Sequence, residues 1–298
     1  MDADLVAMVA ERLDVRVELR EFTHGMSGSQ VCVARQEDGR ACVLKVTSLR
    51  RDNDARAGHR ELAFYRDLAE RLPIRTPALL DHYEDHDVIA MLLSAHGEIR
   101  PAPSWDRRSW RALAVDLARL HGTAVPEPDR WKDDRSPFHA LREPDMPVVD
   151  GFWRRDLASS LDAIIESREL LEQEILQTGE CFVHGDCHTE NILYENGALV
   201  WIDWQSARRG NPAMELAFLE ARATPSGARI PPDLLVTYCS ERGINLERMR
   251  RSVIAAELGI FIFEWPPYAV FDTPAGTRRV RHRTRDLAGR WLAIAGLT

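Results

Sequence analysis

His184-Gly185-Asp186-Cys187-His188-Thr189-Glu190-Asn191, followed after a short apolar run by Ile202-Asp203-Trp204, is the stretch on which the reading of this chain turns. Between the two segments, Glu195-Asn196-Gly197 has the form of a tight hairpin, because Asn-Gly readily supplies two positive-φ positions. With Asn196 and Gly197 in the loop, Glu195 pairs with Ala198. The ladder then runs outward until Asn191 stands opposite Ile202 and beside Asp203. Asp186 lies on the loop entering the first strand, so an Asp, an Asn and a second Asp converge.

That is the set needed to move a phosphoryl group: a carboxylate to take the acceptor hydroxyl's proton, and hard oxygen ligands for Mg²⁺. The Asp-x₄-Asn spacing matches the catalytic loop of protein kinases. The run resembles the aminoglycoside phosphotransferase family of kinase-like enzymes, whose H-G-D-x-H-x-x-N and I-D-[WF] patterns residues 184–191 and 202–204 fit throughout. The resemblance implies an α+β, protein-kinase-like two-lobed fold. A small N-terminal antiparallel sheet lobe would span residues 1–97 and a larger, mainly helical C-terminal lobe residues 98–298.

Composition is compatible with this. A chain of 298 residues, 45% apolar, can form one sizeable unit or two lobes sharing a cleft. The net charge of −8 argues against a nucleic-acid partner and suits a cationic small molecule. The five cysteines include no C-x-x-C pair, the N-terminal Met1-Asp2-Ala3-Asp4 is acidic, and no apolar run approaches membrane-spanning length. A cytoplasmic protein without a membrane partner is the expectation. Of the 39 basic residues only Lys45 and Lys132 are lysines, which singles out Lys45 as a place where a compact ammonium matters.

The N-terminal third reads as a short helix over 4–13, strands from Arg16 to Thr47 with a turn at Asp38-Gly39, and a helix from Asp52 to Leu72. The break at His24-Gly25-Met26-Ser27-Gly28-Ser29 has the small residues that let backbone N–H groups approach phosphate. Lys45 sits among apolar neighbours, where by itself it would be an ordinary solvent-facing strand residue. The E-x-x-F-Y of Glu61 to Tyr65 resembles the family's helix that supplies the lysine's carboxylate partner, so Glu61 is assigned that place. Leu79–Tyr83 and Val88–Leu93 form another predicted hairpin. Met91 to Ala95 fall where the kinase-like fold has its hinge, which puts Met91 and Leu93, with Ile202, in the nucleotide set.

The remainder reads as helices: one capped by Ser104 and ending at His121-Gly122, a long one from Phe152 to Leu176, one from Ala213, and others over 232–265 and 277–296. Residues 123–151 are a predicted surface excursion, and Arg208 to Pro212 a turn. Relatives usually carry Asp where Glu215 stands, which bears on the local geometry. Trp265-Pro266-Pro267-Tyr268 is placed at the border of the acceptor pocket. Arg278, Arg279, Arg281, Arg283 and Arg285 read as a solvated face, and His121 as structural.

The resemblance implies ATP or GTP as donor, with Ser27, Gly28 and Ser29 over the phosphates, Lys45 on the α- and β-phosphates and Glu61 holding Lys45. Asn191 and Asp203 would bind Mg²⁺, and Asp186 would act as the base. His188 stands where common protein kinases have Lys, which favours a small-molecule hydroxyl acceptor. An antibiotic such as an aminoglycoside is the first expectation, with choline-like, amino-acid or sugar metabolites as alternatives. Two readings of other classes compete: a metal-dependent hydrolase using His184, Asp186 and His188, and a non-catalytic nucleotide-binding module. The hydrolase leaves Lys45, Glu61 and the hairpin unexplained; the binding module normally lacks the base or a metal ligand. His184 and His188 are read as loop braces. Cys187 beside His188 makes a poor nucleophile–base pair, because adjacent side chains seldom point together.

Overall fold

The computed structural model describes residues 3–18, 23–24, 28–132 and 138–297. The chain divides into two compact units, Met1–Glu98 with Ile192–Ala207, and Ile99–Asn191 with Arg208–Thr298.

The first unit is built on an antiparallel sheet of β1 (Val15–Val17), β2 (Thr23–His24), β3 (Ser29–Gln36), β4 (Ala41–Ser48), β5 (Leu79–Glu84) and β6 (Val88–Ser94). The strand order is β1-β3-β4-β6-β5, with β2 also paired to β3. Successive side chains on a strand alternate between faces. Cys42, Leu44 and Val46 of β4 therefore join Cys32, Ala34, Val88, Ala90 and Leu92 against Val6, Val9 and Leu13, whose spacing gives α1 (Ala3–Arg12) and the turn after it one apolar side. Residues between them face α2 (Asp52–Asp67). There Gly58 approaches Thr47 so closely that a Cβ would stand 3.1 Å from its methyl group.

The Asn-Gly hairpin forms as expected. β9 (Ile192–Glu195) pairs with β10 (Ala198–Trp201) in the register Glu195↔Ala198 through Ile192↔Trp201. Asn196 and Gly197 have φ of 51° and 83°, the two positive values that a two-residue turn of this kind requires. Gly97, just before β7 (Glu98–Ile99), packs onto this hairpin, and a Cβ there would collide with the Tyr194 carbonyl.

The second unit is helical apart from a short ladder between β8 (Cys181–Val183) and β11 (Arg208–Gly210). Its helices are α3 (Arg107–Gly122), α4 (His139–Arg142), α5 (Met146–Leu157), α6 (Ser159–Glu166), α7 (Arg168–Leu176), α8 (Pro212–Ala223), α9 (Asp233–Arg242), α10 (Leu246–Gly259) and α11 (Pro274–Ala295). Among the described residues no helix is long and apolar enough to cross a membrane.

Four expectations are corrected here. The cap of α3 is Asp106, which accepts from the N–H and hydroxyl of Ser109 at 2.8 and 2.7 Å, while Ser104 lies in a preceding 3₁₀ turn. The single helix expected over 152–176 is three helices. Ala158 adopts φ 48° between α5 and α6, and Ser167 separates α6 from α7 while accepting from the Trp291 indole N–H at 2.9 Å. Arg208 to Gly210 form a strand rather than a turn, because β8 supplies a partner. The α11 arginines are not merely solvated. Arg283 is bidentate on buried Glu257 at 2.7 and 2.6 Å, and Arg281 pairs with Asp156 and lies over the Phe152 ring.

Candidate active site

In the first unit three charged groups meet on the α2 side of β4. Strand alternation sends Lys45 to that face, where its ammonium lies 2.6 Å from Glu61 Oε2 on α2 and 2.6 Å from Asp203 Oδ1 just beyond β10. Lys45 is buried, contrary to what its place in a strand suggests in isolation. Burial would lower its pKa, but the carboxylates of Glu61 and Asp203 outweigh that and raise it, so the ammonium stays charged. The two sequence motifs lock together through aromatic contact: Phe64, from the E-x-x-F-Y run, stacks on Trp204 of Ile-Asp-Trp with centroids 3.9 Å apart and planes 8° from parallel. Asp203 itself sits at φ 64°, a left-handed conformation that Asp tolerates better than most residues.

Other expected nucleotide residues fall around this cluster. Met91 is fully buried on β6, directly opposite Lys45, and Leu93 is opposite Val43 and Leu79. Both lie inside the β6 ladder. Ser29 is buried, with its hydroxyl 2.8 Å from that of Thr47. Gly28 has φ 69°, a left-handed conformation that favours glycine, and the Asp54 carboxylate lies 2.6 Å from where its Cβ would stand. Ile202 is half-buried between β10 and Asp203. Ser27 lies outside the described residues.

In the second unit β8 delivers the chain into the loop His184–Asn191. Gly185 takes φ 82° there. The loop is tied down by Glu215, in the first turn of α8, whose Oε1 accepts the Gly185 N–H at 2.6 Å and whose Oε2 accepts the His184 N–H at 3.3 Å. The same Oε2 is 2.7 Å from Nε2 of buried His121, whose Nδ1 meets the Tyr238 hydroxyl at 2.8 Å. His121 is thus a structural link. Glu215 reaches every donor in this net with its own side chain. Burial would raise the Glu215 pKa, but the His121 contact, the His184 charge and the Gly185 N–H together lower it.

The loop's own polar groups close on Asp186. Asn191 Nδ2 donates to the Asp186 carbonyl at 2.9 Å and to its Oδ2 at 3.0 Å, and the Asp186 N–H donates to His184 Nδ1 at 3.3 Å. His188 Nε2 lies 3.6 Å from Asp186 Oδ1. Burial would raise the Asp186 carboxyl; the His188 and His184 rings and the Asn191 amide overcome it and hold the pKa at about 2. A carboxylate fixed in the anionic form with one oxygen unclaimed by Asn191 is suited to orienting a hydroxyl. Cys187 is fully buried, which pushes its thiol far above the ordinary range and away from nucleophilic use. Among the described residues, no three His, Cys, Asp or Glu side chains are grouped to hold a metal ion, the arrangement a binuclear hydrolase centre requires.

Two residues that sequence reasoning passed over belong here. Arg208 donates to the Gly185 carbonyl at 3.3 Å, a further tie on the residue whose N–H Glu215 accepts. No periodicity marks it, since a three-residue strand is too short to carry one. Glu264 lines a cavity of about 580 Å³ that is also bordered by Gly185, Arg208, Pro267 and Tyr268. Its signal was available: a lone acid closing the run Ile260-Phe261-Ile262-Phe263.

The model of the phosphotransferase enzyme family matches residues 18–251. A search of curated proteins by sequence finds no match. Among solved structures, the chain is similar in fold to a macrolide 2'-phosphotransferase from Brachybacterium faecium. That likeness has TM-score 0.61 and 21% identity over 94% of this chain and 97% of that one. A choline kinase from Cryptosporidium parvum Iowa II gives TM-score 0.66 at 12% identity, covering 99% of this chain and 98% of that one. Aminoglycoside 2'-phosphotransferase-IIIa, in its GDP complex, gives TM-score 0.66 at 11% identity over 97% of this chain and 99% of that one. The fold is therefore kinase-like, with an antiparallel sheet and a mostly helical remainder, and the chain belongs to the phosphotransferase enzyme family.

Proposed function

We propose that this phosphotransferase moves the γ-phosphoryl group of ATP or GTP to a hydroxyl of a small organic molecule, with Asp186 as the catalytic base. The observation that carries the proposal is the Asp186 carboxylate itself: held by Asn191, braced by His184 and His188, and kept anionic with a pKa of about 2. So weak a base does not strip an alcohol in advance. It accepts the hydroxyl's hydrogen bond, aims the oxygen at phosphorus, and takes the proton as the new P–O bond forms and the bond to the nucleoside diphosphate breaks.

Lys45 is assigned to the α- and β-phosphates, and Glu61 to holding that ammonium in place. Gly28 and Ser29, with Ser27, are assigned to the phosphate-covering turn, and Met91, Leu93 and Ile202 to the surroundings of the nucleotide. For Mg²⁺ the donor chemistry fits: Asn191 bonds to Asp186 through its amide N–H₂ with Oδ1 as a hard oxygen to offer, and Asp203 offers a carboxylate. When bound, Mg²⁺ would neutralise phosphate charge.

The acceptor is proposed to be antibiotic-like. Structural neighbours named for macrolide and aminoglycoside phosphorylation support this, and the choline kinase keeps a metabolite amino alcohol as the second reading. The test is a panel of such acceptors assayed for nucleoside-diphosphate release, with the phosphorylated product identified by mass. Release that depends on one acceptor supports the proposal. Absence of any acceptor-dependent release with both ATP and GTP contradicts it.

A further inference from the structure

The cavity beside Gly185 has an uneven lining. Met214, Phe218, Phe263 and Tyr268 give it apolar walls, while its charged groups are Arg208 and the carboxylates of Glu215 and Glu264. Glu215 is engaged by His121 and by the His184 and Gly185 N–H groups. Glu264 is different: among the described residues no hydrogen bond steadies its carboxylate, and the charge acting on it is that of Arg208. Burial pushes that carboxyl up to about 7, with the Arg208 charge pulling it back only in part.

Glu264 is also delivered by an unusual piece of backbone. Residues Ile260–Glu264 form a π-helical turn, with the Trp265 N–H bonded to the Ile260 carbonyl at 2.9 Å. Such turns insert an extra residue into a helix and recur at functional sites. Here the turn buries Ile260, Phe261, Ile262 and Phe263 and leaves Glu264 on the cavity. The following 3₁₀ turn, Pro266–Phe271, leaves Val270 and Phe271 79% and 75% exposed, so apolar surface continues beyond Tyr268.

We propose that Glu264 recognises the charge of the phosphoryl acceptor, and that this acceptor is an amphipathic alcohol carrying one protonated amine on a mostly apolar body. This rests on the kinase reading above and names the substrate class for it. A neutral apolar molecule would leave Glu264 enclosed without a counter-charge, which is unfavourable. A polyamine would place further cations against apolar walls and Arg208 with no second unpaired acid among the described lining residues. A cavity of about 580 Å³ suits a drug-sized molecule.

The test is calorimetric titration without nucleotide. Three apolar amino alcohols, each with one secondary amine, are set against their N-acetylated, uncharged counterparts and against a polyamino sugar. The expected result is that at least one amine binds about 30-fold more tightly than its N-acetyl form, the size of effect seen when one member of a buried charge pair is removed. Glu264→Gln should erase that difference while melting at or above the parent temperature. A preference unchanged by Glu264→Gln, no preference for any amine, or tighter binding of the polyamino sugar overturns the proposal. The parent protein alone decides the second and third outcomes, whatever the variant does. Amine preference without nucleoside-diphosphate release counts against the kinase reading alone, and release without amine preference counts against this inference alone.

Discussion

Glu215 Oε1 accepts the Gly185 N–H at 2.6 Å, so a carboxylate on α8 fixes the backbone immediately before Asp186. Its other oxygen, bonded to His121, anchors that carboxylate in turn to α3. The aim of Asp186 therefore depends on a buried net rather than on the loop alone.

Replacing Glu215 by Ala leaves His121 and two backbone N–H groups buried without this acceptor, and should cost about 3–5 kcal/mol of unfolding free energy. Because the folded pKa of Glu215 is lowered, its stabilisation is present above the ordinary carboxylate range and is lost as pH falls through the folded value. Urea unfolding should accordingly show a deficit at neutral pH that is smaller at a pH below the ordinary carboxylate value of 4.5. Equal deficits at both pH values contradict this account.

Lys45 and Glu61 should be strongly coupled, because both are buried and their charged atoms lie 2.6 Å apart. In a cycle of Lys45→Met, Glu61→Gln and the double variant, the interaction energy is expected at about 1–3 kcal/mol in favour of the pair. Nucleotide affinity should fall in both single variants. Additive stabilities would show that the two groups act independently.

Glu264 gives a pH signature of opposite sign to that of Glu215. Its folded pKa of about 7 lies above the ordinary 4.5, so the folded state binds the proton more tightly. Its contribution is full below the ordinary value and is lost as pH rises through about 7. Glu264→Gln should therefore gain melting temperature relative to the parent as pH is raised from about 5 to about 8. A difference that is flat across this range argues against a half-buried carboxylate with a raised pKa at this position.

The features legible in the sequence were those set by local chemistry. Asn196-Gly197 dictates a hairpin and its register, whereas the meeting of Lys45 with Glu61 was expected only from the family resemblance of the E-x-x-F-Y run, since a lone strand lysine reads as solvent-facing. What could not be read depends on partners remote in the chain. Nothing local predicts the break at Ala158, where Arg154 bridges Asp150 and Asp162 across the junction. Nor do residues 208–210 announce a strand, since only pairing with Cys181–Val183 makes them one. The α11 arginines looked like a solvated surface because Asp156 and Glu257 are distant in sequence. Glu264 is a different case: the lone acid closing Ile260-Phe261-Ile262-Phe263 was visible in the sequence, but the cavity that gives it a role is formed by residues from across the second unit.

The central claim is that the Asp186 carboxylate performs the base and orienting role in phosphoryl transfer. Its most direct test compares Asp186→Asn with the parent, since the amide keeps an oxygen for Asn191 and removes only the charge and the proton acceptor. With a responsive acceptor from the panel, kcat should fall by about 10²–10⁴-fold, while the Kd for nucleotide changes by less than about twofold. Turnover in the variant within about tenfold of the parent would contradict the account.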